Sequence, residues 1–264
     1  MSAVGAERGP IALDRDGPLA VITLCRPPLN LFDEEMFAAL RAAVDDVSAT
    51  PPRGLLIRAD GRAVSGGVDV HLFDGLGVER AAGLWRELLD LVHTVEALPL
   101  PTVFAAHALC LTAAFELSLA CDLLLAAESA RFGLVETVVG LTPAMGGTQR
   151  LAERAGPARA RELVMTGELY DAATLERWNV VNRVLPDEGF DAAARAFAQG
   201  LAEGPTRAHA ATKALVRAQL GGGTRAADAL VPEVAGELFA TEDLQGAVRS
   251  FLERGPGHAR YDGR

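Results

Sequence analysis

Two acidic residues, Glu116 and Glu136, stand in surroundings that are otherwise apolar or rich in turn residues. Residues 101–150 begin with an almost continuously apolar run, and Glu116 lies inside its Ala/Leu segment. Glu136 follows between Val135 and Thr137, ahead of a turn rich in Gly and Pro. Burying a lone carboxylate is costly unless it is paired or hydrogen-bonded. Since two carboxyl groups can serve as general acid and general base, we expect chemistry here.

Two loops could stabilise negative charge in such a site. One is Ser65-Gly66-Gly67-Val68-Asp69 and the other is Leu111-Thr112-Ala113-Ala114, and each precedes a helical segment. Backbone N–H groups at a helix N-terminus have no acceptor within the helix and bind negative charge. Two such loops that converge on one point would form an oxyanion hole. Glu116 follows Ala113 by three residues, a spacing that puts both on one helix face.

An alternation of strands and helices must position these residues. The predicted elements are a hairpin over 11–24, a helix that is capped by Asp33 and runs to about residue 47, a strand over 54–58, a helix over 79–98, a strand over 102–108, a helix over 113–120 and a strand over 122–126. This order predicts parallel strands joined by crossover helices. Helical patterns dominate after residue 147, apart from a short strand over 180–185, and the helical tail breaks at Gly221-Gly222-Gly223.

Composition excludes several classes of function. The chain has 264 residues, is 50% hydrophobic and carries a formal net charge of −10. An acidic surface repels phosphate backbones, so nucleic acid is not an expected partner. The apolar run after residue 101 is too short and too interrupted by polar residues to span a membrane. The cysteines Cys25, Cys110 and Cys121 have no metal-ligand spacing, and we expect no metal and reduced thiols in a cytoplasmic protein.

Three groups of motifs together resemble one known family. Residues 63–70, AVSGGVDV, resemble the loop pattern A-F-x-A-G-A-D-[IL]. Residues 132–151 carry FGLVE, GLTP and GGTQRL, similar to the signature F-G-x-P-E…G-x-x-P-x-x-G-G-[TS]-x-R-L. Residues 161–184 follow the pattern A-x-x-[ML]-x-x-T-G…G-L-V-x-x-V loosely. These patterns are typical of the crotonase, or enoyl-CoA hydratase/isomerase, superfamily, and the resemblance covers residues 11–251.

The resemblance implies a fold, a substrate and site residues. The fold would be an α/β crotonase-like spiral of ββα units over residues 1–200, with a C-terminal α-helical oligomerisation region over 201–264 that forms homotrimers or hexamers. The substrate would be an acyl thioester of coenzyme A, so no separate cofactor is expected. Glu116 and Glu136 would hold and activate a water molecule, and the N–H groups of Val68 and Ala113 would bind the thioester oxygen. The implied substrate- and CoA-binding residues are Arg26, Gly66, Gly67, Val68, Asp69 and Val70. For Arg26 the alternative is a solvated side chain that does not contact CoA.

One departure from the family pattern keeps other functions open. The usual N-G-x-x-x-G-G-G is here HALCLTAA, so Thr112, Ala113 and Ala114 stand in place of three glycines. Alanine does not permit the conformations and close approaches that glycine permits. The first hypothesis is an enoyl-CoA hydratase. The alternatives are an enoyl-CoA isomerase or an acyl-CoA decarboxylase of the same fold, and an inactive crotonase-like binding subunit.

Overall fold

The computed structural model describes residues 9–264, which form a large and a small β-sheet surrounded by helices. The strands are β1 Ile11–Asp16, β2 Leu19–Leu24, β3 Gly54–Ala59, β4 Thr102–Ala106, β5 Cys110–Leu111, β6 Leu123–Ala127, β7 Arg131–Gly133, β8 Tyr170–Asp171 and β9 Arg183–Leu185. The helices are α1 Glu34–Ala49, α2 Val78–Ala97, α3 Ala113–Ala120, α4 Gly147–Ala155, α5 Pro157–Thr166, α6 Ala172–Arg177, α7 Phe190–Ala202, α8 Thr206–Glu237 and α9 Glu242–Arg254.

The large sheet has the strand order β1-β2-β3-β4-β6-β9. Its strands are parallel except for the N-terminal hairpin of β1 and β2. Every residue of β2 and of β4 is buried. A strand covered on both faces needs a continuous apolar run, and both sequences, LAVITL and TVFAA, have one. The predicted hairpin and the parallel strands with crossover helices are therefore confirmed.

The small sheet, β5-β7-β8, holds the site loops together. After β4 the chain enters the small sheet as β5 and then forms α3, and after β6 it enters again as β7. Ser65 forms a parallel bridge to Cys110, and the N–H groups of Val64 and Ser65 both donate to the Leu109 carbonyl, at 2.9 and 3.1 Å. The glycine-containing loop after β3 is thereby fixed beside the start of α3.

Helix boundaries follow local signals in the sequence. Asp33 caps α1 by accepting a hydrogen bond from the Met36 N–H at 2.8 Å, as predicted. The predicted helix over 113–120 is confirmed residue for residue. The strand predicted over 180–185 is only three residues long, because the Val180 and Val181 N–H groups donate to the Leu175 carbonyl at the end of α6.

The C-terminal region is helical, as predicted, and α8 contains one non-helical residue at the glycine cluster. Gly223 has φ 76° and ψ 176°, which kinks the helix there. Exposed apolar side chains lie along this region, among them Phe239, Phe251 and Leu252. Its role in forming a trimer or hexamer stays a prediction. Within the described residues no helix has both the length and the apolar character that crossing a bilayer requires.

Candidate active site

Glu116 is buried inside α3 and is held by the start of another helix. All eight residues of α3 are buried, and Glu116 is only 3% exposed. Its Oε2 accepts hydrogen bonds from the main-chain N–H groups of Met145 at 2.9 Å and Gly147 at 2.7 Å. Gly147 is the first residue of α4, so the carboxyl group occupies a helix N-terminus, where free N–H groups and the helix dipole attract negative charge. These two bonds fix the direction of the Glu116 side chain.

The turn that holds Glu116 is shaped by glycine and by a partly buried ion pair. A Cβ atom on Gly147 would lie 2.6 Å from the Cγ of Glu116, so only glycine allows this approach. Arg150 donates to Gly146 O at 3.1 Å and makes two bonds of 2.6 Å to the carboxylate of Glu96. Glu116 itself has no ion pair with a described residue. The arginine of the GGTQRL motif thus braces the turn without forming an ion pair with the Glu116 carboxyl group.

Glu136 approaches from the loop after β7. It begins a short 3-10 turn, Glu136–Val139. Both carboxylate oxygens are shielded from bulk solvent, and no donor of another residue in 9–264 reaches them. Buried acceptors without partners are rare in folded proteins. Glu136 therefore presents two uncommitted acceptor atoms to whatever occupies the space beside it.

Burial raises the pKa of both carboxyl groups into the neutral range. The pKa of Glu116 is raised to about 8, first by desolvation and then by the charge of Glu136, although main-chain hydrogen bonds oppose the shift. Desolvation raises the pKa of Glu136 to about 7. Two carboxyl groups that repel each other titrate as a pair. Near neutral pH this pair can hold one proton, which is the state that offers one acid and one base.

Both carboxyl groups line one cavity of about 200 Å³. Its wall is otherwise mainly apolar, with contributions from the glycine-containing loop, α2 and the segment after β7. The lining residues are Phe37, Gly66, Val68, Val70, Leu72, Phe73, Trp85, Leu88, Thr112, Glu116, Val135, Glu136, Val138, Val139, Leu141, Thr142, Ala144 and Met145. The structure thus brings together the two acids that the sequence predicted. No cluster of three or more His, Cys, Asp or Glu in residues 9–264 could hold a metal ion.

The two predicted loops also meet at this cavity, with a contact that the sequence did not predict. Main-chain bonds of 2.9 Å join Gly67 O to the Phe32 N–H and the Asp69 N–H to Phe32 O, and they fix the loop on either side of Val68. The Val68 N–H donates to the hydroxyl oxygen of Thr112 at 3.2 Å. The first of the two predicted oxyanion donors is therefore engaged by a side chain of the other loop.

Thr112 stands in a backbone conformation that suits glycine. It has φ 44° and ψ −116°, and its N–H donates to Gly133 O at 3.0 Å. A positive φ is a genuine outlier for a β-branched residue and costs on the order of 1–3 kcal/mol. The only signal in the sequence was a threonine at the first of three positions where the resemblance has glycine. Ala113 follows as the first residue of α3, so its N–H has no acceptor within the helix, while its side chain is packed in the core.

The remaining predicted binding residues fall into two groups. Gly66 and Val70 line the cavity with Val68, whereas Gly67 and Asp69 alternate with them and do not. The Asp69 carboxylate accepts from the His71 N–H at 3.0 Å and caps the following turn, and its predicted CoA-binding role stays a prediction.

Arg26 also lies outside the cavity lining. Its guanidinium group forms ion pairs with Asp33 and Glu35. A phosphate group would have to compete with both carboxylates, and the CoA-binding role of Arg26 stays a prediction.

Comparisons with known proteins agree over most of the chain. A family model described as enoyl-CoA hydratase/isomerase matches residues 14–261. A protein named "Probable enoyl-CoA hydratase" from Rhodobacter capsulatus is 34% identical over 241 residues, which cover 91% of this chain and 93% of that protein. One of the same name from Bacillus subtilis is 30% identical over 247 residues, or 92% and 96% of the two chains. The crystal structure of enoyl-CoA hydratase from Bacillus anthracis has a TM-score of 0.89 at 25% identity and covers 97% of this chain and 100% of its own.

Proposed function

The chain belongs to the enoyl-CoA hydratase/isomerase family, and from that premise we propose that it adds water to a 2-trans-enoyl-CoA to give a 3-hydroxyacyl-CoA. The observation that carries the proposal is the pair of carboxyl groups, Glu116 and Glu136, that line one apolar cavity with pKa values raised to the neutral range. Water addition needs a base for one proton and an acid for another. A pair that shares one proton near neutral pH provides both.

The cavity suits the acyl part of the substrate. Its volume of about 200 Å³ is below the roughly 300–1,000 Å³ of pockets that enclose a whole drug-sized ligand. Its apolar wall favours a hydrocarbon chain over a nucleotide. The CoA moiety would then lie outside, along the mouth that the exposed side chains of Val70, Val138 and Val139 surround.

The reaction follows from the position of the charges. A carboxylate of the pair takes a proton from water as the water oxygen bonds to Cβ. The electrons of the double bond move toward the thioester oxygen, which gains negative charge beside the Val68 loop and the N-terminus of α3. The protonated carboxyl group delivers its proton to Cα as the carbonyl re-forms. The pair begins and ends with one proton, so the reaction is balanced.

The arrangement of Glu136 favours hydration over the alternatives within the family. Its two shielded and unpartnered oxygens can accept both hydrogen bonds of one water molecule. Moving a double bond needs only one carboxyl group, which takes a proton from one carbon and returns it to another. Decarboxylation needs no activated water. An inactive binding subunit would have no chemical reason to keep two repelling carboxyl groups in an apolar cavity.

The proposal is tested by the loss of conjugated-thioester absorbance when crotonyl-CoA or a longer 2-trans-enoyl-CoA is added. We expect turnover by the wild type and a loss of about 10²–10⁴-fold in kcat for Glu136→Gln. Glutamine has nearly the shape of glutamate but cannot act as a general base. The exposed Glu128 provides the matched control, and Glu128→Gln should be as active as the wild type. Equal rates for the wild type and Glu136→Gln would refute the assignment. Conversion of 3-enoyl-CoA with no hydration of 2-enoyl-CoA would identify an isomerase.

A further inference from the structure

The hydroxyl group of Thr112 occupies the position at which a thioester oxygen would meet the Val68 amide. An amide N–H has one proton, and that of Val68 is directed at the Thr112 Oγ1, 3.2 Å from its nitrogen. Thr112 lines the same cavity as Glu116 and Glu136. Direct donation from Val68 to a substrate would require this contact to break.

The same hydroxyl group has a proton of its own to offer. A threonine hydroxyl is one donor as well as an acceptor. Its oxygen accepts from Val68, and no acceptor in residues 9–264 receives its proton. The hydroxyl proton is therefore available to a substrate bound in the cavity, and the Val68 N–H would strengthen that donor because hydrogen bonds in a chain polarise one another.

We propose that Thr112 is a catalytic residue whose Oγ–H donates to the thioester oxygen, in place of the Val68 N–H and together with the Ala113 N–H. This inference rests on the proposed function. No covalent bond to the hydroxyl forms or breaks. Negative charge accumulates on the thioester oxygen as water adds to Cβ, and it returns to the carbon framework when Cα is protonated. The hydroxyl keeps its proton throughout.

The backbone around Thr112 supports a role for its side chain. Thr112 keeps a positive φ of 44° that glycine would adopt without strain. The opposite loop is shaped to receive it, since a Cβ on Gly67 would lie 2.6 Å from the Thr112 hydroxyl oxygen. Both loops thus accommodate this one hydroxyl group.

Three variants distinguish a Thr112 hydroxyl that donates to the substrate from one that only blocks the Val68 N–H. Thr112→Ser keeps the hydroxyl and should retain most of kcat. Thr112→Val replaces the hydroxyl with a methyl group of the same size, still covers Val68, and should lose about 10²–10³-fold in kcat, as removal of an oxyanion donor does. Thr112→Gly uncovers the Val68 amide and should not exceed the wild type. Near-wild-type kcat for Thr112→Val, or a Thr112→Gly enzyme much faster than wild type, would overturn the proposal.

A spectroscopic readout of the bound thioester, recorded before turnover, tests the hydroxyl separately from kcat. Cinnamoyl-CoA is a conjugated thioester whose absorbance moves to longer wavelength when its carbonyl oxygen is polarised. We expect this shift with the wild type and Thr112→Ser, and its loss with Thr112→Val although the thioester still binds. An equal shift with Thr112→Val would refute the role of the hydroxyl. Failure of the wild type to hydrate any 2-enoyl-CoA would instead refute the proposed function, whatever the shift shows.

Discussion

Replacing Glu116 with glutamine should make the protein more stable at alkaline pH, although it removes a group from the site. The folded-state pKa of Glu116 lies above its ordinary value, so the folded state binds this proton more tightly than the unfolded state. The contribution to stability is fully present below about pH 4.5 and is lost as the pH rises through about 8. A glutamine is neutral at every pH and can still accept from the Met145 and Gly147 N–H groups. The variant should therefore escape the loss.

The magnitude follows from the two pKa values. Each tenfold difference in proton affinity is worth about 1.36 kcal/mol. A pKa of about 8 against an ordinary 4.5 corresponds to roughly 4–5 kcal/mol in total, most of which develops between about pH 5 and pH 8.5. Since Glu116 is 3% exposed, solvent does little to screen this cost. We expect the stability advantage of Glu116→Gln to grow by up to roughly 4 kcal/mol over that interval.

Urea unfolding at about pH 5 and pH 8.5 measures the change in the free energy of unfolding. Protein concentration is held constant because association would add to stability. The exposed Glu128 is the control, and Glu128→Gln should change stability equally at both pH values. An equal pH dependence for the wild type and Glu116→Gln would show that the carboxyl group is not destabilised by burial. The electrostatic basis of the acid–base pair would then be wrong.

Three further predictions test the parts of the site. The kcat/KM of hydration should follow a bell-shaped pH profile. It should rise through about pH 7 as the pair of carboxyl groups loses its first proton and fall through about pH 8 as the pair loses its second. A flat profile would exclude the pair as acid and base. Gly147→Ala should lower kcat because its methyl group would lie 2.6 Å from Glu116 Cγ. The control Gly200→Ala, whose methyl group would have no atom within 4 Å, should leave kcat unchanged. Equal activity of the two variants would contradict the close contact between Gly147 and Glu116. The free energy of unfolding of Thr112→Gly should be about 1 kcal/mol higher than that of Thr112→Ala, because alanine is strained at the positive φ of this residue. The reverse order would show that the backbone there is unstrained.

Much of the fold was predictable because its signals are local. Asp33 marks the start of α1, the apolar runs of β2 and β4 mark strands buried on both faces, and the crossover order predicts the parallel sheet. The predicted crotonase-like fold is confirmed. The small sheet was missed, since strands of two or three residues such as Cys110–Leu111 are too short to show a period.

The site was predictable where it depends on residue type and order. A carboxyl group inside an apolar helix pointed to Glu116, and a position ahead of a turn pointed to Glu136. Both line one cavity, and their catalytic roles stay predictions. The contact between Val68 and Thr112 was not predictable, because it joins residues 44 apart through the conformation of two loops. The ion pairs that engage Arg26 were not recognised from the sequence, although both partners lie within nine residues along the chain.

If the pair of carboxyl groups adds a water molecule across the double bond of an enoyl thioester, the oxygen atom of that water stays in the product. Mass spectrometry of the product formed in oxygen-18 water detects it. We expect a product heavier than the 2-trans-enoyl-CoA by one labelled water, formed by the wild type and far more slowly by Glu116→Gln and Glu136→Gln. A product of unchanged mass, a product lighter by carbon dioxide from a malonyl-type thioester, or labelled product formed equally fast by both variants would contradict it.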